Sequence, residues 1–339
     1  MHCGHAVVGA RNGDWQSLGT GARAVWRTRV HGETARSRSR APRLGRVSGW
    51  DISDIPDQSG RTFIVTGANS GLGAVTARAL AGAGAQVIMA CRNELKGRSV
   101  ASEIGAGVAV RRLDLADLSS VREFADGVDA ADVLINNAGI MAVPQGRTAD
   151  GFEMQVGTNH LGHFALTGLL LDKIRDRVVT VSSGAHAMGR IDLEDLNWER
   201  RAYQRWAAYG QSKLANLMFA YELQRRLTAA GSAKLSVAAH PGYAATELQS
   251  HTESIQDRFM AIGNKLFAQS AEMGALPTLF AATTEVEPGT YYGPTGFRGL
   301  RGHPGRSGST AASRDEMTAR RLWELSEQLT KVNYPFLRK

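Results

Sequence analysis

No apolar run in this chain approaches the roughly 18 residues that a membrane-spanning helix needs. The longest candidate, residues 161–171, is interrupted by Gly162, His163, Thr167 and Gly168. Cysteine is nearly missing as well. Cys3 and Cys91 stand far apart, which argues against a disulfide framework and for a reducing compartment, by default the cytoplasm. No apolar core of a secretory signal occurs near the start. Net charge is scarce once it is located. Nine arginines against Asp14 and Glu33 put +7 of the chain's +8 in residues 1–49, so the remainder is close to neutral.

That basic segment is rich in Arg, Gly and Ser and shows no sustained apolar periodicity, the composition of a disordered extension. Trp15 and Trp26 among the arginines admit a nucleic-acid or membrane reading, and the Arg-rich, acid-poor start admits an organelle transit reading. The preferred reading is an extension dispensable to the folded body, with no nucleic-acid partner. Residues 50–339 are then expected to form one folded domain, long enough to bury a full core.

From Arg61 onward, short apolar strands alternate with amphipathic helices. Strands are predicted at 62–65, 86–90, 108–113, 133–136, 178–181, 235–239 and 290–292, and helices at 72–82, 95–104, 119–125, 152–173, 207–230, 271–283 and 314–329. A repeated βαβ order points to an α/β protein of Rossmann type: a doubly wound parallel sheet, three-layer αβα, in a single domain. Residues 247–269 are less regular and follow the sixth strand, where a mobile flap over a ligand would sit. Residues 293–313 read as a loop rich in Gly, Pro and Ser.

The first strand runs into Thr66, Gly67, Ala68, Asn69, Ser70, Gly71, Leu72 and Gly73. Glycines at these positions suit a tight turn, a close approach of backbone to a pyrophosphate, and packing of helix on strand, while the open N–H groups of the helix start favour phosphate. At the end of the second strand, where a carboxylate would hold the ribose hydroxyl of NAD, stands Arg92. A guanidinium suits a 2′-phosphate, so NADP is the expected cofactor; the rival reading makes Arg92 a surface residue of the next helix.

Tyr209 and Lys213 lie four apart in a stretch without proline, so a helix sets them on one face, about 5–6 Å apart at Cβ. An ammonium beside a phenol favours the phenolate. Lowering a tyrosine from about 10 to about 7 takes roughly 4 kcal/mol, which a desolvated site with Lys213 and a nicotinamide cation could supply. Such a phenol exchanges a proton near neutral pH. Asn136–Gly139, Ser182 and Ser183, and the run from His240 through Pro241, Gly242 and Tyr243 to Thr246 all fall at the carboxyl ends of strands, where open α/β sheets bind ligands.

These motifs together resemble the short-chain dehydrogenase/reductase superfamily over about residues 61–329. The wording at 91–93, 159–164, 181–186 and 196–198 is most similar to its retinol-dehydrogenase-like branch and bacterial relatives. The resemblance implies an NADP-dependent oxidoreductase acting on a small-molecule alcohol, aldehyde or ketone, apolar in this branch. It implies Tyr209 as acid/base, Lys213 on the nicotinamide ribose, Ser183 on the substrate oxygen with Ser182 as rival, and Asn159 holding a proton-relay water. It places Asp114 and Leu115 at the adenine, Asn137, Ala138 and Gly139 beside the adenosine ribose, and Pro241, Gly242 and Thr246 toward the pyrophosphate and carboxamide. The long gap between Ser183 and Tyr209 matches an insert at the cavity rim. Relatives include monomers as well as homo-oligomers.

Other residues admit plainer readings. His160 and His163 are one turn apart but no carboxylate or cysteine completes a metal site, so helix packing is expected. His186 touches substrate or belongs to a loop, and Tyr243 lines the nicotinamide end or does not. Trp198 and Trp206 are expected to pack the insert, and Cys91 to be buried. The alternative functions are a non-catalytic NADP-binding sensor, which intact Tyr209 and Lys213 disfavour, and an isomerase or dehydratase.

Overall fold

Short apolar strands alternate with helices throughout the computed structural model, which describes residues 49–243 and 269–337. These residues fall within one unit, Gly45–Lys339. Strands β1 (Thr62–Thr66), β2 (Gln86–Cys91), β3 (Val108–Arg112), β4 (Ala131–Asn136), β5 (Ile174–Val181), β6 (Leu235–Ala239) and β7 (Tyr291–Gly296) pair in parallel, and β8 (Arg301–Arg306) pairs antiparallel with β7. Among the described residues they form one sheet in the order β3-β2-β1-β4-β5-β6-β7-β8. The winding direction reverses between β1 and β4, and that switch opens a crevice beyond the strands' carboxyl ends.

Both faces of the sheet are covered, so alternate residues of β1 enter different cores. Phe63 and Val65 join Leu80 of α1 (Gly71–Gly82), Val100 of α2 (Glu94–Ile104) and Leu279 of α7 (Ala271–Thr283). Ile64 joins Phe124 of α3 (Leu118–Asp126), Phe164 of α5 (Gly162–Leu170), Leu223 of α6 (Arg205–Ala229) and Trp323 of α8 (Glu316–Thr330). Trp323 stacks on Phe219 at 5.7 Å, and the Tyr334 hydroxyl donates to the Phe164 carbonyl at 2.6 Å, tying the C-terminal segment over α5 and α6. No helix among the described residues is long and apolar enough to cross a membrane.

Two expectations change. The single helix predicted over 152–173 is a short α4 (Met154–Val156), a wide π turn (Gly157–Leu161) and α5. Close approach explains the glycines at its junctions: a Cβ on Gly157 would strike the Thr148 side chain, and one on Gly162 the Leu115 carbonyl. The loop predicted over 293–313 carries the end of β7 and all of β8. Pro304 stands on the edge strand β8, where a missing donor is tolerated, and faces Pro294, which lies past the two residues of β7 that pair with β6. Of the flap expected over 247–269, all but Gln269 lies outside the described residues, as do the basic extension through residue 48 and Thr246.

Candidate active site

The turn after β1 is shaped by glycine backbone and held by two side chains. Gly67 and Gly71 have φ of +67° and +51°, left-handed values that a side chain disfavours. A Cβ on Gly73 would collide with the Gly67 carbonyl and sit 2.7 Å from Asn137 Nδ2. The loop is stitched to the end of β4, because Thr66 Oγ1 accepts from the N–H groups of Asn137 and Ala138, each at 2.9 Å, and Asn137 Nδ2 donates to the Thr66 carbonyl at 2.8 Å. Ser70 caps α1 without a side-chain bond, so the first-turn N–H groups stay open toward the crevice. Beneath this turn the buried Cys91 thiol is pushed up to about 11 by desolvation, an inert rather than reactive thiol.

A cavity of about 760 Å³ runs from this turn across the strand ends. Gly67, Asn69, Ser70, Gly71, Leu72 and Gly73 line one side of it, and Arg92, Asp114 and Leu115 line it beyond β2 and β3. Arg92 is exposed, and no carboxylate of β2 stands beside it. Asn137, Ala138 and Gly139 follow from β4, and Pro241, Gly242 and Tyr243 from β6.

At the far end lie Ser183, Tyr209 and Lys213. Ser183 bonds the Tyr209 hydroxyl and also accepts from Ala185 N at 3.1 Å. Ser182 also lines the cavity, and its hydroxyl donates to the Lys213 carbonyl at 2.7 Å. Lys213 Nζ donates to the Val181 carbonyl at 3.3 Å and lies 5.8 Å from the Tyr209 ring. Asn159 is buried beside it: its side chain accepts from Ile140 N at 2.8 Å and donates to the Ile140 carbonyl and Ser212 Oγ, both at 2.9 Å. The Asn159 carbonyl, on the π turn, accepts from His163 Nδ1 at 3.0 Å.

The tyrosine is not acidified by this chain alone. Burial pushes Tyr209 up to about 12, only partly opposed by the Ser183 bond, and burial pulls Lys213 down to about 8. The expectation of a phenol near 7 counted a nicotinamide cation as well as Lys213, and without that ligand the phenol stays above its ordinary value. Desolvation outweighs the ammonium here, and any further acidification must come from charge brought by a ligand.

The family can now be read from comparison. Residues 61–257 match the short chain dehydrogenase family. The chain belongs to the short-chain dehydrogenase/reductase superfamily. Within it, the chain is 43% identical over 300 residues to human retinol dehydrogenase 13, covering 83% of this chain and 87% of that protein. It is 41% identical over 293 residues to mouse polyprenol dehydrogenase, covering 81% and 85%. A solved structure of an uncharacterized protein from Mycobacterium Paratuberculosis is 55% identical, with TM-score 0.75, and covers 85% of this chain and 100% of that one. A structure described as an NAD(P) dependent gluconate 5-dehydrogenase from Beutenbergia cavernae, with NADP bound, is 27% identical, with TM-score 0.52, covering 67% and 92%. The chain is thus an oxidoreductase of the retinol-dehydrogenase-like branch.

As a short-chain dehydrogenase/reductase it carries lining residues that sequence reading missed. Lys96 lines the cavity beside Arg92, and the signal was its position one turn along α2. Trp206, expected only to pack the insert, also lines the cavity; it stands edge-on to Tyr209 at 6.2 Å, the i,i+3 spacing having been the clue. Met141, Val143, Met188 and Leu300 complete an apolar wall. Trp198 does pack the insert, with the Arg201 guanidinium 3.7 Å over its ring. His186 is not at the cavity wall: Nδ1 donates to the Ser183 carbonyl at 2.7 Å and its ring meets Tyr291. His160 bonds Ser326 at 3.0 Å and His163 bonds Thr66 at 2.9 Å, and burial pulls their rings down to about 3 and about 4, so both stay neutral packing groups.

Proposed function

We propose that this oxidoreductase moves hydride between NADP(H) and the carbonyl or alcohol carbon of a bulky apolar small molecule, with Tyr209 as acid/base. One observation carries the reading: a hydroxyl pair (Ser183 and Tyr209) and a buried amine (Lys213) share a cavity whose other side is a glycine-rich turn at a helix start.

The residues present fit a nicotinamide dinucleotide. The turn at Gly67, Gly71 and Gly73 has no room for a Cβ at its inner position, and its open N–H groups suit a pyrophosphate. Arg92 beyond β2 supports the 2′-phosphate of NADP, with Lys96 lining the same side. Bound there, the cofactor supplies the hydride.

In reduction, Ser183 holds the substrate oxygen and supports the charge that builds on it. Tyr209, held protonated by its burial, gives its hydroxyl proton to that oxygen. Lys213 and Asn159, adjoining the same backbone at Gly139, are the groups through which the Tyr209 oxygen regains its proton. The apolar wall of Met141, Val143, Met188, Trp206 and Leu300 favours a bulky apolar substrate, in line with two relatives named for the large alcohols retinol and polyprenol.

The test is loss of NADPH absorbance by the purified protein with a panel of aldehydes and ketones, repeated with NADH. Turnover with NADPH preferred over NADH is expected. Tight NADPH binding with no decay on any carbonyl would sink the reading.

A further inference from the structure

The cavity's apolar wall and the helix of Tyr209 are joined by a pair of carboxamides, of which the proposed chemistry uses one. The wall begins in the segment after β4, whose backbone is pinned at alternate residues by two carboxamides one helical turn apart. Asn159 holds Ile140 and reaches across to Ser212 Oγ on α6. Gln155 repeats the arrangement four residues earlier. Its Oε1 accepts from Ala142 N at 2.8 Å, and its Nε2 donates to the Arg205 carbonyl and to the Tyr203 hydroxyl, both at 2.8 Å. Arg205 and Ser212 stand two turns apart on α6, so the two carboxamides form parallel rungs between the loop and one helix.

The outer rung holds a costly conformation. Ala142 has φ of +49°, a left-handed backbone that a residue with a Cβ keeps only when its surroundings enforce it. Its neighbours Met141 and Val143 line the cavity, while Trp206 and Tyr209 line it from α6. Gln155 itself is fully buried and does not reach the cavity. Tyr203 extends the rung: its hydroxyl lies 3.0 Å from Glu153 Oε1 and 3.2 Å from the Val143 carbonyl. The Glu153 carboxylate in turn accepts from the N–H groups of Gln155 and Val156 at 2.9 and 2.7 Å.

We propose that Gln155 is a positioning residue for the substrate end of the cleft, its buried carboxamide locking the wall of Met141 and Val143 to the first turn of the Tyr209 helix. The inference rests on the reading of Tyr209 as acid/base and adds what sets the distance between that residue and the wall. Removing the carboxamide leaves the Ala142 N–H buried without its partner and takes from the Arg205 carbonyl the bond that tied it to the loop. The left-handed turn then relaxes, and the wall shifts relative to Tyr209. The phosphate-binding turn, which hangs on β1, β4 and α1, is untouched.

The test uses the full chain with Gln155→Leu and Gln155→Glu, NADPH, and nonanal as probe carbonyl. Hydrogen exchange is read first and needs no turnover. In Gln155→Leu, residues 140–143 and the first bonded amides of α6, Ala208 and Tyr209, are expected to lose protection by about tenfold or more, while β1 and β2 keep theirs. KM for nonanal should rise roughly tenfold with KM for NADPH within about twofold, a split that general destabilisation does not produce. Gln155→Glu is the isosteric check. As a neutral acid it still accepts from Ala142 and donates one hydrogen bond. As a carboxylate it faces the Arg205 carbonyl, Tyr203 and Glu153, with Arg147 acting on Glu153 from outside. Relative to wild type at each pH, both the nonanal KM and the exchange of 140–143 in Gln155→Glu should therefore climb between about pH 5.5 and about pH 8.5. Wild-type protection of 140–143 in a folded Gln155→Leu protein overturns the proposal; where that variant does not fold, a Gln155→Glu profile parallel to wild type does so. A wild type that consumes no NADPH with any carbonyl defeats the oxidoreductase reading instead, and exchange alone then decides the rung.

Discussion

On the cofactor side the turn that meets the cleft is set by glycine backbone, and on the reacting side the groups that matter are buried side chains. Gly67, Gly71 and Gly73 act by what they lack: two sit in left-handed conformations and the third has the Gly67 carbonyl where a Cβ would go. The open N–H groups of α1 carry no ionisable group that burial could perturb. Tyr209, Lys213 and Asn159 are instead nearly excluded from water, at 8%, 4% and 0% exposure, and the two that titrate are both displaced by desolvation. One side is therefore expected to fail through geometry and the other through protonation. Substitutions at the two sides should be separable by the quantity that changes.

The largest effect belongs to the reacting side. Tyr209→Phe keeps the ring and its packing against Trp206, and removes the hydroxyl with its proton and its bond to Ser183. Turnover should fall by about 10²–10⁴ with NADPH affinity nearly unchanged. A Phe enzyme of near-normal turnover would erase the contrast between the two sides.

Next is Lys213→Met, in which loss of activity and gain of stability should coincide. Lys213 falls from 10.5 to about 8 on folding, so between those values the unfolded chain binds more protons and stability rises with pH. The cost of the buried ammonium is fully present below about 8 and is gone above about 10.5. At pH 7 the Met variant should gain up to about 3 kcal/mol of unfolding free energy, and the gain should shrink to nothing as the wild type deprotonates. Denaturant midpoints across pH check it. Tyr209, raised to about 12, acts with the opposite sign and in a separate range, above about 10.

The cofactor side is sharpened by two glycines of the same helix. Gly73→Ala forces a Cβ into the Gly67 carbonyl, whereas a Cβ on Gly82 meets nothing within 4 Å. The first change should cost about 1–3 kcal/mol and weaken NADPH binding about tenfold or more. The second should be neutral or stabilising by a few tenths to about 1 kcal/mol. Thermal melts and NADPH titrations of the pair separate close packing from helix propensity.

The same contrast explains what could be read before any coordinates. The glycine turn, the Asn137 strand end, and the Tyr209 and Lys213 pair are each constrained by neighbours a few residues away, so their spacing already carries the geometry. Gln155 acts on Arg205, fifty residues on, and Trp206, Met188 and Leu300 meet at the cavity only after the insert and the β7–β8 pair have folded. Nothing local marks them. The π turn was hidden because its residues keep a helical apolar pattern while the hydrogen bonds slip by one. The direction of the Tyr209 shift was hidden for another reason: desolvation is a property of the packed interior, and a spacing of four residues reports only that an amine is near.

The smallest expected effect is at Arg92, where the cofactor side does use a charge. Arg92 is exposed and shares its side of the cavity with Lys96, so its attraction to a 2′-phosphate is screened by water and partly duplicated. An exposed pair of this kind contributes about 1 kcal/mol. Arg92→Ala should lower the NADPH-to-NADH preference roughly fivefold, with turnover unchanged, and Arg92→Ala with Lys96→Ala should lower it further. Raising salt to about 1 M should shrink the wild-type preference toward that of the single variant, because the Debye length then falls to about 3 Å. The geometric terms at Gly73 should not respond to salt at all. A preference that ignores both salt and Arg92 would mean that this side, too, discriminates by backbone shape alone.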